Sequence, residues 1–302
     1  MEKRNKRPGF FFEEPLAKHT TMKVGGPAEV LFRPAGVEAL ADFFASLPRE
    51  REVRLLGAGS NLIVADEGVT GVVVDTALLD DFFPEEGLVF AQAGVKCPRL
   101  ARFLLDNGLA QGEFFLGIPG TVGGALAMNA GAFGASTWDK VERVLVLARD
   151  GQVRVREKTE FHPGYRQISR LAGDGGLEAE WFLGAWFAFP EGEREEIRKK
   201  MLQISRHRAL TQPLSLPSAG SVFVNPPGMK SARLIEEAGL KGERLGDAMV
   251  SPLHANFMVN AGKARAKDML DLMRLVSERV YHLFGVRLVS EVRLWGSDDR
   301  LA

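Results

Sequence analysis

The sequence predicts an α+β fold in two lobes. The chain has 302 residues, 45% hydrophobic and 26% charged, which is ordinary globular composition and enough length for two cores. From about Lys23 to Phe189, short strand patterns alternate with turns and are interrupted by two helical patterns. A charged helical stretch then leads into a smaller region that contains one long amphipathic helix.

In the first lobe, apolar or alternating segments of four to nine residues predict strands. They are Ala28–Arg33, Val53–Leu56, Gly71–Asp75, Leu88–Ala93, Val141–Ala148, Gln152–Arg156 and Trp181–Phe189. Apolar residues three or four apart predict helices over Val37–Leu47 and Pro98–Asn107, and the second of these stops at Gly108.

The charged stretch between Glu191 and Ala209 places Ile197, Met201 and Ile204 on one helical face, as a connecting helix does. Beyond it we expect helices over Ser231–Ala238 and Ala266–Phe284. The second of these helices ends before Gly285, and its apolar stripe would be Met269, Leu272, Met273, Val276, Val280 and Leu283. The strands of this lobe would be Val222–Asn225, Phe257–Asn260 and Val286–Trp295. We therefore divide the chain into an N-terminal extension (1–22), a first domain (23–189), a connecting helix (190–209) and a C-terminal domain (210–302).

Charge and cysteine usage exclude several classes of function. Lys plus Arg and Asp plus Glu both total 39, so no net charge attracts nucleic acid or an anionic membrane. Cys97 is the one cysteine and the five histidines lack H-x-x-x-H spacing, so we expect no metal site. No stretch has the length of a membrane span or a signal-peptide core, and we expect a cytoplasmic monomer.

Two glycine clusters predict close approach of the backbone to another group. Residues 117–135 contain six glycines among small apolar side chains, and Gly57–Leu62 follows a predicted strand. Such clusters hold phosphates or flat rings, although tightly packed turns have the same composition. Leu62 stands where a dinucleotide fingerprint needs its third glycine, and neither cluster ends in Gly-Lys-Ser/Thr, which argues against Rossmann and P-loop sites.

Three polar residues could carry chemistry, and each has a plainer interpretation. Ser221 follows Gly220 at the start of a predicted strand, but it lacks the flanking residues of a hydrolase nucleophile. Its hydroxyl could instead form a hydrogen bond within its own turn. Glu291 shares a strand face with Arg287 and Arg293, as a surface ion-pair cluster would. Arg166 lies in a polar loop, where a buried guanidinium could bind a carboxylate.

Seven motifs in a fixed order make the chain resemble the UDP-N-acetylenolpyruvoylglucosamine reductases, from about Pro15 to Gly296. They are Pro15–Ala28, Gly57–Leu62, Gly117–Ala125, Gly164–Arg166, Ala219–Phe223, His254–Phe257 and Ser290–Arg293. The resemblance implies a two-lobed FAD-binding domain of the vanillyl-alcohol-oxidase (PCMH) type, followed by a smaller α+β substrate-binding domain. It also implies reduction of the enolpyruvyl ether of UDP-N-acetylglucosamine to UDP-N-acetylmuramate with NADPH, a step of peptidoglycan synthesis.

Roles carried over from the family fall on matching positions of this chain. Arg166 would bind the substrate carboxylate and its enolate form, Ser221 would donate the proton, and Glu291 would stabilise charge; a protonated Glu291 as donor, directly or through Ser221, is the alternative. The FAD-binding residues would be Gly57, Ala58, Gly59, Ser60, Asn61, Gly117, Ile118, Pro119, Gly120, Thr121, Gly123, Gly124, Ala125 and Asn129. The substrate-binding residues would be Tyr165, Gly220, Asn225 and His254.

The chain resembles the shorter subclass of the family, because neither Tyr165 nor Tyr281 lies in the tyrosine-bearing insertion of the longer one. Two other functions stay open at this stage. One is a flavin-dependent alcohol oxidase or dehydrogenase with the same type of FAD domain, against which the combination of Ser221 and Glu291 argues. The other is a flavin-binding module without activity, which would not need Arg166, Ser221 and Glu291.

Overall fold

The computed structural model describes residues 7–170 and 180–296. Its α-helices are α1 Val37–Ser46, α2 Cys97–Asp106, α3 Val122–Ala127, α4 Arg194–Thr211, α5 Ser231–Glu237 and α6 Ala266–Phe284. In the first half of the chain its strands are β1 Gly9–Pro15, β2 Pro27–Arg33, β3 Val53–Leu56, β4 Leu62–Val64, β5 Val69–Asp75, β6 Phe82–Glu85, β7 Leu88–Gln92, β8 Gly131–Ala132, β9 Ala135–Ser136 and β10 Val141–Ala148. The later strands are β11 Val153–Glu157, β12 Phe161–Gly164, β13 Gln167–Arg170, β14 Glu180–Phe187, β15 Ser218–Ser221, β16 Arg244–Leu245, β17 Ala248–Val250, β18 Phe257–Asn260 and β19 Arg293–Trp295. This mixture confirms the predicted α+β class.

Three larger sheets organise these strands. Their orders are β1-β2-β5-β3, β11-β10-β14-β7-β6 and β15-β18-β17-β16. The strand pairs β12-β13 and β8-β9 are antiparallel, whereas β4 pairs in parallel with β19. The described residues divide into two compact units. The first unit comprises residues 7–11, 30–58, 71–170 and 180–206, and the second comprises 12–29, 59–70 and 207–296.

In the first unit the five-stranded sheet has an apolar core on each face. Along β10, Val144 and Val146 point into one core, which also contains residues of α2 and α3. Leu147, on the opposite face, belongs to a second core with Leu40 and Phe44 of α1. Because both faces are covered, the continuous apolar run of this strand needs no polar alternation.

In the second unit α6 packs against the sheet that contains β16 and β17. Its buried stripe includes Met269, Met273, Val276 and Val280, and the helix ends at Gly285, whose φ of +69° is left-handed. The bounds and the stripe of this helix agree with the prediction, except that Leu283 is exposed. The predicted connecting helix is α4, and it buries Ile197, Met201 and Ile204 as expected.

Two predicted strands are wrong. β15 ends at Ser221, so Val222–Asn225 forms only an isolated bridge, between Phe223 and Ser290. Of Val286–Trp295, only Arg293–Trp295 is a strand. The apolar residues Leu288 and Val292 are buried in the core of the second unit, although the segment that carries them is irregular. Their spacing therefore resembled that of a strand.

In the part of the chain that the structure describes, none of the helices combines the length and the apolar character that crossing a bilayer requires.

Candidate active site

The first glycine cluster begins where β3 ends. A Cβ atom on Gly57 would lie 2.5 Å from the Thr121 hydroxyl oxygen, so a larger residue there would force the Thr121 side chain to shift. Gly57 and Thr121 come from the two separate glycine motifs of the sequence. The structure therefore brings these two candidate cofactor-binding segments into contact.

Thr121 carries a buried polar atom that needs a partner. Only 5% of the residue is exposed, and within the described residues its Oγ1 has no hydrogen-bond partner. Next to it, a Cβ on Gly124 would meet no atom closer than that same oxygen, at 3.8 Å. A buried hydroxyl usually requires a hydrogen bond, so a hydroxyl beside an open glycine surface fits a polar group of a bound cofactor.

The other members of the second glycine cluster serve close packing. A Cβ on Gly123 would lie 2.7 Å from that of Ala93, and one on Gly117 would lie 2.8 Å from that of Ala132. Ile118 and Ala125 turn their side chains into the core of the first unit. Pro119 is exposed, and the Gly120 carbonyl accepts a hydrogen bond of 3.1 Å from the Cys97 amide.

In the second unit, Gly59 and Asn61 are tied to protein segments. Gly59 has a φ of +61°, and a Cβ there would lie 2.3 Å from the His19 carbonyl oxygen. Asn61 donates from Nδ2 to the Glu291 carbonyl at 2.9 Å and accepts at its own carbonyl from the Arg293 amide at 3.0 Å. Ser60 lies between them.

Asn129 supports the segment that carries Arg166. Its Nδ2 donates to the Gly164 carbonyl at 3.0 Å, and its Oδ1 accepts from the Trp138 amide at 3.1 Å. Both ends of the amide therefore contact protein backbone in the first unit.

Arg166 lies at the tip of a hairpin, where the sequence predicts a loop. β12 and β13 pair Gly164 with Gln167, which leaves Tyr165 and Arg166 as a two-residue turn. Arg166 has a φ of +58°, a conformation that is unfavourable for a residue other than glycine. Its guanidinium lies 5.3 Å from the centre of the exposed Tyr165 ring.

A buried ion cluster holds the base of this hairpin. Glu180 is 7% exposed and accepts from Arg156 at 2.7 Å and from Arg170, the last residue of β13, at 3.3 Å. The hydrogen bond to Glu180 raises the pKa of the Arg156 guanidinium above its ordinary value. Charged side chains inside a protein fold usually occur in such pairs.

A β-bulge sets the position of Ser221 in the second unit. Ser218 pairs with Val259 and Ser221 with Phe257, so β15 spans three steps where β18 spans two. Gly220 lies within the bulge at a φ of +79°. Bulges of this kind redirect the following side chain and recur beside active sites.

Glu291 lies on the segment adjacent to Ser221. The Glu291 amide donates to the carbonyl of Val222, the residue after Ser221, at 2.8 Å. The neighbouring bridge between Phe223 and Ser290 extends this contact. The second unit thus places the backbone segments of Ser221 and Glu291 side by side, and Arg166 belongs to the first unit.

The remaining candidate substrate-binding residues have local contacts in the second unit. Asn225 accepts at Oδ1 from the Ser231 amide at the start of α5, at 3.0 Å. His254 stacks edge-to-face on Phe257 at 4.7 Å and accepts at Nδ1 from the Asn256 amide at 3.3 Å. Burial lowers the pKa of His254 below its ordinary value.

Asn256 is not among the site residues predicted from the sequence. The structure buries it at 4% exposure and joins its side chain to the backbone of Phe223. One sequence feature could have identified it: Asn256 is a single amide side chain within the apolar run Ala255–Val259, and a buried polar group must be hydrogen-bonded.

Two family models match separate parts of the chain. A family model described as "FAD binding domain" matches residues 28–156, and one described as "UDP-N-acetylenolpyruvoylglucosamine reductase, C-terminal domain" matches residues 212–295. These matches confirm the predicted order of an FAD-binding domain followed by a smaller domain.

Relatives named UDP-N-acetylenolpyruvoylglucosamine reductase match nearly the whole chain. That of Alkalilimnicola ehrlichii is 46% identical over 284 residues, which cover 94% of this chain and 93% of the relative. That of Nitrosomonas eutropha is 44% identical over 290 residues, which cover 94% and 87%. The crystal structure of the Thermus caldophilus UDP-N-acetylenolpyruvylglucosamine reductase superposes with a TM-score of 0.81 at 38% identity, covering 96% of this chain and 99% of that one.

Proposed function

Because the chain belongs to the UDP-N-acetylenolpyruvoylglucosamine reductase family and is an FAD-dependent oxidoreductase, we propose that it reduces UDP-N-acetyl-3-O-(1-carboxyvinyl)glucosamine to UDP-N-acetylmuramate, with NADPH as reductant. This reaction supplies a peptidoglycan precursor, so the enzyme acts in the cytoplasm in cell-wall synthesis. The names of the relatives support the substrate, and the FAD-binding domain supports the cofactor.

In the first unit, the contact between Gly57 and Thr121 supports the FAD site. The open glycine surface at Gly124 gives a flat or extended group access to backbone, and the buried Thr121 hydroxyl offers it a hydrogen bond. When bound, FAD supplies hydride transfer from NADPH to the terminal vinyl carbon of the substrate. The chain's own residues then bind the substrate and complete the addition with a proton.

Arg166 binds the substrate carboxylate. Hydride addition to the vinyl terminus leaves an electron pair on the carbon that bears the carboxyl group, and this charge spreads onto the carboxylate oxygens. A guanidinium binds those oxygens more tightly as their charge increases, which lowers the barrier. The left-handed φ at Arg166 and the ion cluster at the base of its hairpin support this role, because such strain concentrates at functional sites.

Ser221 donates its hydroxyl proton to the carbon next to the carboxylate, which forms the second C–H bond. Glu291 acts in its protonated form: it stabilises the negative charge of the enolate and returns its proton to the Ser221 oxygen. The observation that carries this proposal is the 2.8 Å hydrogen bond from the Glu291 amide to the Val222 carbonyl, which holds the two segments side by side. A serine hydroxyl is a weak acid, so transfer depends on the strong basicity of the enolate and on fixed geometry.

Anaerobic stopped-flow absorbance of the flavin tests the function. NADPH should bleach the bound flavin, and the enolpyruvyl sugar nucleotide added afterwards should restore its absorbance, with one UDP-N-acetylmuramate formed per flavin. Bleaching by a simple alcohol, with no recovery on adding the sugar nucleotide, would instead identify a flavin-dependent alcohol oxidase or dehydrogenase. Flavin that neither reagent changes would identify a binding module.

A further inference from the structure

Asn256 bonds to the backbone on the C-terminal side of Ser221. Its Oδ1 accepts from the Phe223 amide at 3.0 Å, and its Nδ2 donates to the Phe223 carbonyl at 2.8 Å. Its own carbonyl accepts from the Val222 amide at 2.8 Å. These three hydrogen bonds fix the two residues that follow Ser221.

On the N-terminal side, the β-bulge at Gly220 fixes the same serine. The left-handed φ of Gly220 and the pairing of Ser221 with Phe257 determine where the strand ends. Ser221 thus lies between a bulge and the asparagine contact, at the point where the regular strand ladder stops. Because Phe223 is only 3% exposed, water cannot easily replace the bonds that Asn256 makes to it.

We infer that Asn256 is a positioning residue for the Ser221 hydroxyl, acting through the backbone of Val222 and Phe223. The inference rests on the proposed function, since it assigns to Asn256 the alignment of the group that donates the proton. Proton transfer needs a closely defined distance between the Ser221 oxygen and the substrate carbon. A displacement of the hydroxyl by about 1 Å lowers the rate by up to about 10²-fold.

Asn260 provides a matched control. It is also 4% exposed, and both ends of its side chain bond to backbone: Nδ2 donates to the Met22 carbonyl at 3.2 Å, and Oδ1 accepts from the Gly262 and Ala264 amides at 3.1 Å. These partners lie outside the 220–223 segment. Removing either asparagine therefore leaves buried backbone groups unsatisfied, but only Asn256 bonds next to Ser221.

The test compares the holoenzymes of Asn256→Ala and Asn260→Ala. Both should show lower thermal unfolding midpoints and reduction by NADPH within about twofold of the parent rate. Only Asn256→Ala should slow reoxidation by the enolpyruvyl sugar nucleotide, by at least about tenfold, with a larger solvent deuterium isotope effect. Equal effects of the two substitutions on reoxidation, or equal slowing of both half-reactions by Asn256→Ala, would overturn the inference.

Asn256→Asp keeps the test decisive if the alanine variant does not fold. An ionised aspartate accepts from the Phe223 amide but cannot donate to its carbonyl, whereas a protonated one can do both. Burial favours the protonated form. The reoxidation rate of this variant, divided by that of the parent at each pH, should therefore rise as the pH falls from 8 to about 5.5; a flat ratio contradicts the inference.

Ser221→Ala separates the inference from the function on which it rests. If Ser221→Ala reoxidises at the parent rate, the proposed role of the serine fails. If Ser221→Ala is slow and Asn256→Ala is not, only the positioning role of Asn256 fails.

Discussion

The side-chain amide of Asn61 donates a hydrogen bond of 2.9 Å to the backbone carbonyl of Glu291, 230 residues further along the chain. Immediately after this contact, β4 and β19 pair in parallel, with Leu62 beside Arg293. Asn61, at the end of the first glycine motif, and Glu291, near the C-terminus, are therefore parts of one local structure in the second unit. A residue predicted to bind the cofactor is thus bonded to the backbone of a residue proposed to be catalytic.

We predict that Asn61→Ala slows reoxidation of the flavin by substrate roughly 2- to 10-fold, because one neutral hydrogen bond contributes about 0.5–1.5 kcal/mol. The measurement is single-turnover stopped-flow with saturating enolpyruvyl sugar nucleotide. Asn107→Ala is the control, since Asn107 also donates to a backbone carbonyl, that of Phe103 at 2.8 Å, but on the surface of the first unit. An unchanged rate in Asn61→Ala would show that the contact does not position Glu291.

Thr121→Val should weaken FAD binding without destabilising the FAD-free protein. Valine nearly matches the shape of threonine, and Thr121 Oγ1 has no hydrogen-bond partner in the described residues that the substitution could remove. If the hydroxyl bonds a charged group of FAD, worth about 1.5–3 kcal/mol, the dissociation constant should rise roughly 10- to 100-fold. Titration of the FAD-free protein with FAD, followed by fluorescence, gives this value.

Thr137→Val is the matched control. Thr137 is fully buried in the first unit, but its Oγ1 donates to the Ala130 carbonyl at 2.7 Å. This substitution should lower the unfolding midpoint and leave the FAD dissociation constant unchanged. The reverse pattern, with Thr121→Val destabilising the FAD-free protein and binding FAD normally, would show that the hydroxyl has a structural partner instead.

The stability of the protein should fall in mild acid through His254. Burial lowers the pKa of this histidine, so below its ordinary pKa of about 6.5 the unfolded chain binds a proton that the folded chain does not. The folded state therefore has its full stability above that value and loses it as the pH falls towards the lower folded pKa. Thermal unfolding from pH 8 to 5.5 should show a steeper decline in the parent than in His254→Gln. Parallel curves would show that His254 does not contribute.

The bounds of helices and strands were predicted best where the spacing of apolar residues and the residues that end an element agree. Helix α6 ends at Gly285 as expected, and β10 spans Val141–Ala148, the bounds predicted from its apolar pattern. The prediction failed at Val222–Asn225, because the bonds there go to Asn256 and to the 289–291 segment, which are distant in sequence.

The candidate site was predictable as a set of motifs but not as geometry. Glycine disfavours helices, so helix α3, Val122–Ala127, was not expected. The helix buries Val122, Ala125 and Leu126, and Gly123 lies against Ala93. The left-handed turn at Arg166 contradicts residue preference, since only the surrounding structure can hold a non-glycine residue there. Local patterns cannot report contacts of this kind.

We expect the Ser221 hydroxyl to act only in the half-reaction with substrate. The decisive experiment is stopped-flow absorbance of Ser221→Ala, first with NADPH and then with the enolpyruvyl sugar nucleotide. Flavin reduction should proceed at nearly the parent rate, whereas reoxidation should slow by at least about 10²- to 10⁴-fold, the contribution of a positioned acid. Equal loss in both half-reactions, or reoxidation at the parent rate, would show that Ser221 is not the proton donor.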